Sequence, residues 1–291
     1  MNNTLATKFS GFPSGLTDVG LSPLLCSHMG PLFNAIKYKS PDLLLDVMQV
    51  CCSVDVRKME DDDFRYLLAL VDRVSFTEDS RVLNWRCHAP RWIRGTEGTE
   101  NYDYVFTNPH HPSYVKGECG SLNTQDVRMN VVVEGGRRKL PDGMRHPLVG
   151  TLDESVVAIE EGYPEDTIMA ARWVDCDWPL RAIADSLSLS ELAFIKRHMY
   201  SCIRTKMKLR CNHCPNEVTQ VNPLDLFAFL RVFSDVSMMN MQFNLSMHFN
   251  ACIPEDIPLK RLLYSHGCYV QDRREAEKKK RERAAANGRK L

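Results

Sequence analysis

The chain has 291 residues, of which 44% are hydrophobic and 25% are charged, and this composition excludes a fibrous or wholly disordered protein. Its 37 basic and 37 acidic residues cancel, so it lacks the overall positive charge of a dedicated nucleic-acid binder. No stretch approaches the ~20 uncharged apolar residues of a membrane span and no secretory leader is recognisable, so we expect the eleven cysteines to be reduced, buried or metal-bound in a cytoplasm.

A flexible arm and a helical module are predicted at the start of the chain. Residues 1–20 are rich in Gly, Ser, Thr and Asn, which favours a flexible arm over a packed element. Residues 21–90 are predicted to form the module, which closes with a short strand and a turn that contains Cys87. Proline and acidic side chains suit the first turn of a helix, and they mark three predicted starts: Ser22-Pro23, Ser40-Pro41 and Asp61-Asp62-Asp63.

Residues 91–172 are predicted to form a loop-rich, partly β insertion. Gly, Pro and Asn are frequent in this region. The β-branched run Val131-Val132-Val133 leads towards Gly135-Gly136, which indicates a strand that enters a tight turn.

Residues 173–271 are predicted to form a second helical module. One helix is predicted to be capped by Ser188 or Ser190, and another is predicted to open at Pro223 and to carry an apolar stripe. The stripe consists of Leu226, Phe227, Leu230 and Phe233. Segment 239–249 alternates apolar and polar residues, as a strand does, but its Met, Leu, Gln and Ser content also suits a helix, so the sequence leaves the choice open.

Residues 272–291 form a basic, charged tail that is predicted to be helical. Nine Lys or Arg stand against four Asp or Glu, so the tail carries +5 and the first 271 residues carry −5. Because the two signs are interleaved, the tail suits solvent or a protein partner better than it suits phosphates.

The strongest local signal for chemistry is the turn Cys211-Asn212-His213-Cys214. A CxxC turn places two thiolates at a spacing that suits tetrahedral Zn²⁺, but structural zinc needs four ligands and no second CxxC occurs. The missing ligands are sought among Cys87, His88, Cys119, Cys202 and the His110-His111 pair. Zinc is therefore a candidate cofactor, and the alternatives are a buried cysteine turn without metal and a redox dithiol.

Two places share one order of elements, namely a helix, a loop, a short strand and a cysteine turn that ends in proline. The first place runs from Asp63 to Pro90 and includes Cys87, and the second runs from Glu191 to Pro215 and includes the CxxC turn. A duplicated module is one interpretation of this weak repeat.

Signatures of catalysis are not recognisable in the sequence. It holds no glycine-rich phosphate loop, nucleophile elbow or HExxH motif. The acidic triplet Asp61-Asp62-Asp63 is interpreted as a helix start rather than a cation site. We therefore expect a protein that is not an enzyme.

Two segments carry a resemblance to a known family. The segment DDDFRYLL at Asp61–Leu68, and SLSELAFIKRHMY followed by LRCNHCP, are similar to the small baseplate hub and hub-assembly proteins of contractile-tailed bacteriophages. The resemblance covers about residues 20–90 and 180–280. The family usually has one CxxC turn, so the turn with Cys87 alone and the long insertion depart from its pattern.

The resemblance implies a structural or assembly protein of a phage baseplate. Its partners would be other baseplate, hub or tail-tube proteins, and it would be built in a bacterial cytoplasm and reside in the virion tail. Together with the patterning, it predicts a mostly α-helical α+β fold with two helical modules, each ending in a short strand and a cysteine turn. The alternative hypothesis is a zinc-knuckle protein that binds nucleic acid.

Overall fold

The computed structural model describes residues 7–76, 80–88, 119–214, 216–229, 235–250, 252–254 and 256–288. Within these residues the chain is α+β and mostly helical, which confirms the predicted fold class. It divides into two compact units. The helical unit comprises residues 1–77, 135–202 and 225–291, and the hairpin unit comprises residues 78–134 and 203–224.

The helical unit contains the described α-helices and one antiparallel pair of strands, β1 (Thr7–Phe9) and β2 (Val19–Leu21). Its helices are α1 (Met29–Lys37), α2 (Pro41–Cys51), α3 (Asp61–Ser75), α4 (Leu152–Glu160), α5 (Glu165–Ala171), α6 (Leu180–Ser186), α7 (Leu189–His198), α8 (Leu226–Phe229), α9 (Asp235–Phe249) and α10 (Leu259–Gly288).

Residues 7–20 are packed, which corrects the prediction of a flexible arm over residues 1–20. Strands β1 and β2 pair in antiparallel register. Phe12 and Val19 are buried, and the Phe12 ring meets Tyr66 edge to face with 5.3 Å between ring centroids. The high content of small polar residues predicted a flexible segment, although these two apolar side chains anchor it. Gly11, with a positive φ of 86°, supplies a conformation that other residues rarely adopt between the strands.

The helix predicted from Ser22-Pro23 begins instead at Met29, after a 3₁₀ turn over Cys26–His28. Leu24 is buried in an extended segment before that turn, and its N–H donates to Ser75 Oγ at 2.9 Å. This tertiary hydrogen bond pairs a buried backbone N–H of the extended segment.

Three predicted helix starts are confirmed. Helix α2 begins at Pro41, and Ser40 Oγ accepts a hydrogen bond from a backbone N–H of its first turn. Helix α7 has a capping box in which Ser188 Oγ accepts from the N–H of Glu191 at 3.3 Å, while Glu191 Oε2 accepts from the N–H of Ser188 at 2.9 Å. Helix α3 begins at Asp61 and buries one apolar face, which consists of Phe64, Leu67, Leu68 and Val71.

The acidic triplet Asp61-Asp62-Asp63 starts α3, and its three carboxylates bind three separate segments of the unit. The first forms an ion pair with Arg172 at 2.5 Å. The second accepts from the N–H of Cys202 at 2.9 Å, and the third accepts from the N–H of Ser14 at 2.9 Å. Adjacent residues of a helix point about 100° apart, so one turn can reach three neighbours.

Part of the region 91–172 is helical, which corrects the prediction of an irregular insertion. Helices α4 and α5 lie within it and contribute Ala158, Ile168 and Ala171 to a buried apolar cluster with α6. The prediction rested on the Gly, Pro and Asn content of the region, but tertiary packing overrides such weak local preferences. Residues 91–118 lie outside the described residues.

Segment 239–249 lies in helix α9, which settles the choice that the sequence left open. Met238, Met241 and Leu245 are buried on one face of this helix. A second set points to solvent at a spacing of four residues, with exposed fractions of 66% for Met239, 64% for Phe243 and 70% for Met247. The apolar alternation therefore comes from two apolar faces of one helix and not from a strand.

Pro223 does not open a helix, which corrects a further prediction. It is the last residue of a strand, and α8 begins at Leu226 after Asp225, whose Oδ1 accepts from the N–H of Phe227 at 2.8 Å. Leu230 and Phe233 of the predicted stripe lie outside the described residues. The predicted helical tail is confirmed as far as Gly288, because α10 continues through it.

The hairpin unit is built from strands. Strands β3 (Ser80–Arg86) and β4 (Leu122–Arg128) form an antiparallel pair. Strands β5 (Asn130–Val133), β6 (Ile203–Arg210) and β7 (Glu217–Pro223) form an antiparallel sheet with β6 in the middle. The strand predicted at Val131-Val132-Val133 and the short strands predicted before the two cysteine turns are thereby confirmed.

Candidate metal centre

Two cysteines lie at the end of the β3–β4 pair. Cys87 follows β3 directly, and Cys119 stands three residues before the start of β4. The N–H of Cys87 donates to the carbonyl of Ser121 at 3.0 Å, and the N–H of Gly120 donates to the carbonyl of Cys87 at 3.0 Å. The strand register therefore continues past both strand ends and brings two residues that are 32 positions apart to the same place.

The other two cysteines lie in the turn between β6 and β7. Arg210 pairs with Glu217 at the end of the sheet, and the N–H of Cys211 donates to the carbonyl of Asn216 at 2.9 Å. This closes a tight turn with Cys211 at its start and Cys214 within it, as the CxxC spacing predicts.

Apolar packing and a buried amide hold the two strand ends together. Val127 of β4 packs with Met207 and Leu209 of β6 in a small apolar cluster. Asn123, which is 2% exposed, accepts a hydrogen bond at its Oδ1 from the N–H of Asn212 at 2.8 Å. Its Nδ2 donates to the carbonyl of Ser121 at 3.1 Å, so one side chain links both cysteine turns.

The four thiols form one cluster. Their sulfur atoms all lie within 4.8 Å of one another. The distance from Cys87 Sγ to Cys214 Sγ is 3.8 Å, and the distance from Cys119 Sγ to Cys211 Sγ is also 3.8 Å. Four sulfurs bound at about 2.3 Å around a tetrahedral Zn²⁺ would be about 3.8 Å apart. The cluster therefore has the dimensions of a tetrahedral thiolate site.

Hydrogen-bond donors surround the sulfur atoms. Ser121 Oγ lies 3.2 Å from Cys211 Sγ and 3.1 Å from Cys119 Sγ. The N–H of His213 donates to Cys211 Sγ at 3.4 Å, and Asn216 Nδ2 donates to Cys87 Sγ at 3.4 Å. Such donors stabilise negative charge on thiolates and orient them for a cation.

The electrostatics of the CxxC pair differ between its two thiols. Burial opposes ionisation of Cys211, but hydrogen bonds from Ser121 and from the N–H groups of His213 and Cys214 lower its pKa to about 6. Burial and the neighbouring thiols raise the pKa of Cys214. One negative charge is therefore favourable in this cluster, while several thiolates need a positive ion between them.

The predicted ligand set is brought together in part. Cys87 and Cys119 join Cys211 and Cys214 in the cluster, as two of the suggested partners. His88 is exposed and is not a member of the cluster, and His110-His111 lie outside the described residues. Cys202 belongs to the helical unit, where burial and the carboxylate of Asp62 raise its pKa to about 12.

Ser121, Asn123 and Asn216 support the cluster and were missed by the sequence reasoning. All three lie within two or four residues of a cysteine, near a strand end. Strand β4 has only two apolar residues, Leu122 and Val127, and they do not alternate with polar ones, so no local pattern indicated this strand. Its partner β3 lies on the other side of the 31 residues that separate Cys87 from Cys119.

Comparisons with family models, curated proteins and solved structures gave no significant match to this chain. Among the residues that the structure describes, no helix is both long enough and apolar enough to cross a membrane. The fold and the site together define a mostly helical α+β protein in which four cysteines can hold a metal ion.

Proposed function

We propose that Cys87, Cys119, Cys211 and Cys214 bind one structural zinc ion. The observation that carries this proposal is the pair of 3.8 Å sulfur separations, which match a tetrahedral four-thiolate site. Four protein ligands leave no open position for water or substrate, which is typical of structural rather than catalytic zinc. The metal would cross-link two strand ends that are far apart in the sequence, and its binding would be coupled to folding of the hairpin unit.

The zinc proposal is tested by metal analysis of the purified full-length protein. We expect about one zinc per chain. Cys211→Ser should lose most of it, whereas Cys268→Ser, at an exposed cysteine of α10, should retain it as the matched control. Only trace zinc in the unmodified protein, or equal loss in both variants, would contradict the proposal.

We further infer that the protein acts through protein contacts, as a structural or assembly component. The supporting feature is the exposed stripe of α9, which consists of Met239, Phe243 and Met247 at a spacing of four residues. Large apolar side chains that line one helix face in solvent mark a surface for association. Methionine suits such a surface because its flexible thioether adapts to a partner.

Helix α10 offers a second surface of a different kind. Its side chains from residue 271 to residue 282 are exposed, and Arg273–Glu277 and Lys278–Glu282 form i, i+4 ion pairs at 3.7 and 3.9 Å. These pairs support the helix in water without a neighbour. A long charged helix of this kind is suited to contact with a protein partner.

The specific assembly is proposed from the sequence resemblance. It points to a contractile-tail baseplate of a bacteriophage, with hub, baseplate or tail-tube proteins as partners and the virion tail as the location. Co-purification of the full chain with these proteins tests this assignment. We expect Phe243→Glu to weaken association and Val50→Glu, at an exposed residue of α2, to preserve it. A protein that associates with none of them would contradict the assignment.

The alternative function is a protein that binds nucleic acid next to a zinc knuckle. One specific observation favours it, which is the set of basic side chains on the outward face of β6. The zero net charge of the whole chain favours protein contacts as the main function.

A further inference from the structure

The outward face of β6 carries a basic row. Residues of this strand alternate between buried and more exposed positions, in the order expected for a strand with one face on a core. The buried positions hold Ile203, Thr205, Met207 and Leu209. The basic row consists of Arg204, Lys206, Lys208 and Arg210.

The row is regularly spaced. Side chains two residues apart on a strand are separated by about 6.8 Å, so the row extends over about 20 Å. Because β6 is the middle strand of its sheet, neighbouring strands hold it on both sides at Arg204 and Lys206. The cross-strand neighbours of these two residues are Val132, Pro223, Asn130 and Val221, and none of them carries a charge.

The charges of the row are poorly compensated within the described part of the hairpin unit. Among the described residues, the row forms one ion pair, in which Lys208 Nζ lies 3.9 Å from Glu217 Oε1. The whole unit, residues 78–134 and 203–224, holds ten Lys or Arg and nine Asp or Glu, and four of its ten basic residues lie in this one row. Four like charges along one strand repel each other, which indicates an anionic partner rather than a stabilising role.

We propose that the basic row binds the sugar–phosphate backbone of a single-stranded nucleic acid. The cations of the row repeat at a constant interval. The negative charges of a phosphodiester chain also repeat at a constant interval, because each nucleotide carries one phosphate. A peptide has evenly spaced negative charges only if acidic residues alternate strictly along it. A single strand can extend to match the row, while stacking in a duplex fixes the rise at about 3.4 Å per strand. The three described strands of this sheet carry no aromatic side chain for base stacking, so binding is weak and independent of sequence.

The site goes beyond the proposed structural function and does not require the metal. The proposed binding site lies on the face of the sheet. In the alternative hypothesis of a zinc knuckle, nucleic acid would instead bind at the cysteine turn. Each phosphate contact on a single strand contributes about −0.7 to the slope of log K against log salt, so four contacts predict a slope of about −3. Removing two of the cations should reduce the slope by about 1.4.

The test is fluorescence anisotropy of the full-length protein with a labelled oligo(dT) of twenty nucleotides, titrated from low salt upwards. The double variant Lys206→Gln with Lys208→Gln should weaken binding by about tenfold and reduce the slope of log K against log salt by about 1.4. The control is Lys279→Gln with Lys280→Gln, which removes the same charge from the exposed part of α10 and should leave both quantities unchanged. Unchanged zinc content in the first variant separates this proposal from the metal centre.

Three results would overturn the proposal. The first is the absence of binding at low salt. The second is a loss of binding in the α10 variant with none in the β6 variant, which would assign binding to the tail. The third is equal competition by an alternating Glu-Ser peptide of the same charge, which would assign the row to an acidic protein. A slope near −3 that falls only in the β6 variant, with poor competition by that peptide, supports it.

Discussion

The ion pair between Asp61 and Arg172 predicts a large loss of stability on substitution of one partner. Their atoms are 2.5 Å apart, and the side chains are 13% and 1% exposed. Arg172 also donates from Nε to Thr151 Oγ1 at 2.9 Å and from Nη2 to the carbonyl of Leu148 at 3.0 Å. Removing one partner of a buried pair leaves an uncompensated charge and costs about 3–5 kcal/mol. Arg172→Met should therefore lower the Tm by about 6–20 °C, at about 2–4 °C per kcal/mol.

The matched control is an ion pair of similar length at the surface. Lys196 Nζ lies 2.6 Å from Asp166, with side chains that are 39% and 79% exposed, so Lys196→Met should cost no more than about 1 kcal/mol. Asp61→Asn with Arg172→Met should recover part of the loss, because the double variant buries no unpaired charge. Thermal unfolding followed by circular dichroism measures all these variants. Equal decreases in Tm for Arg172→Met and Lys196→Met would show that burial does not set the cost of breaking these ion pairs.

Two further predictions concern single side chains. Asn123→Ala removes the hydrogen bond to Asn212 that links the two cysteine turns, and it should weaken zinc retention against a chelator by about tenfold or more. Asn84→Ala, at an exposed residue of β3, should not weaken it. Equal zinc retention in the two variants would contradict the role of Asn123. Burial lowers the pKa of His28, whose Nδ1 accepts from the N–H of Leu25 at 3.2 Å, so the folded state favours the neutral ring. Stability should fall as pH decreases from 6.5 through the lowered pKa, and His28→Asn should flatten this part of the profile in urea unfolding; an unaltered profile would count against it.

Local signals predicted those parts of the fold that depend on neighbours in sequence. The capping residues Ser40 and Ser188 marked real helix starts, because a capping hydrogen bond is made within three residues. The errors fall where distant contacts decide the conformation. Leu24 is extended because its N–H reaches Ser75, and Phe12 is ordered because Tyr66 packs against it. Neither partner is visible in a local window of sequence.

The candidate site shows the same division. The CxxC turn was recognised because both cysteines lie in one tight turn with a known metal-ligand spacing. The sequence named Cys87 and Cys119 among several partners, but it offered no means to choose them over His88 or Cys202. The choice depends on the pairing of β3 with β4, which brings the two cysteines together across 31 intervening residues. Strand pairing at that separation is specified by tertiary packing and not by a local motif.

The size of its core gives a physical reason for a metal in the hairpin unit. Around the described strands, one buried apolar cluster consists of Val127, Met207 and Leu209, and the other consists of cysteines. So small an apolar core supplies little stability against the entropy of ordering several strands, and small domains commonly add a metal or disulfides for this reason. The helical unit has long buried apolar faces, such as that of α3, and does not need a metal for its stability. Removal of zinc should therefore unfold the hairpin unit first, while the helical unit retains its far-UV circular dichroism.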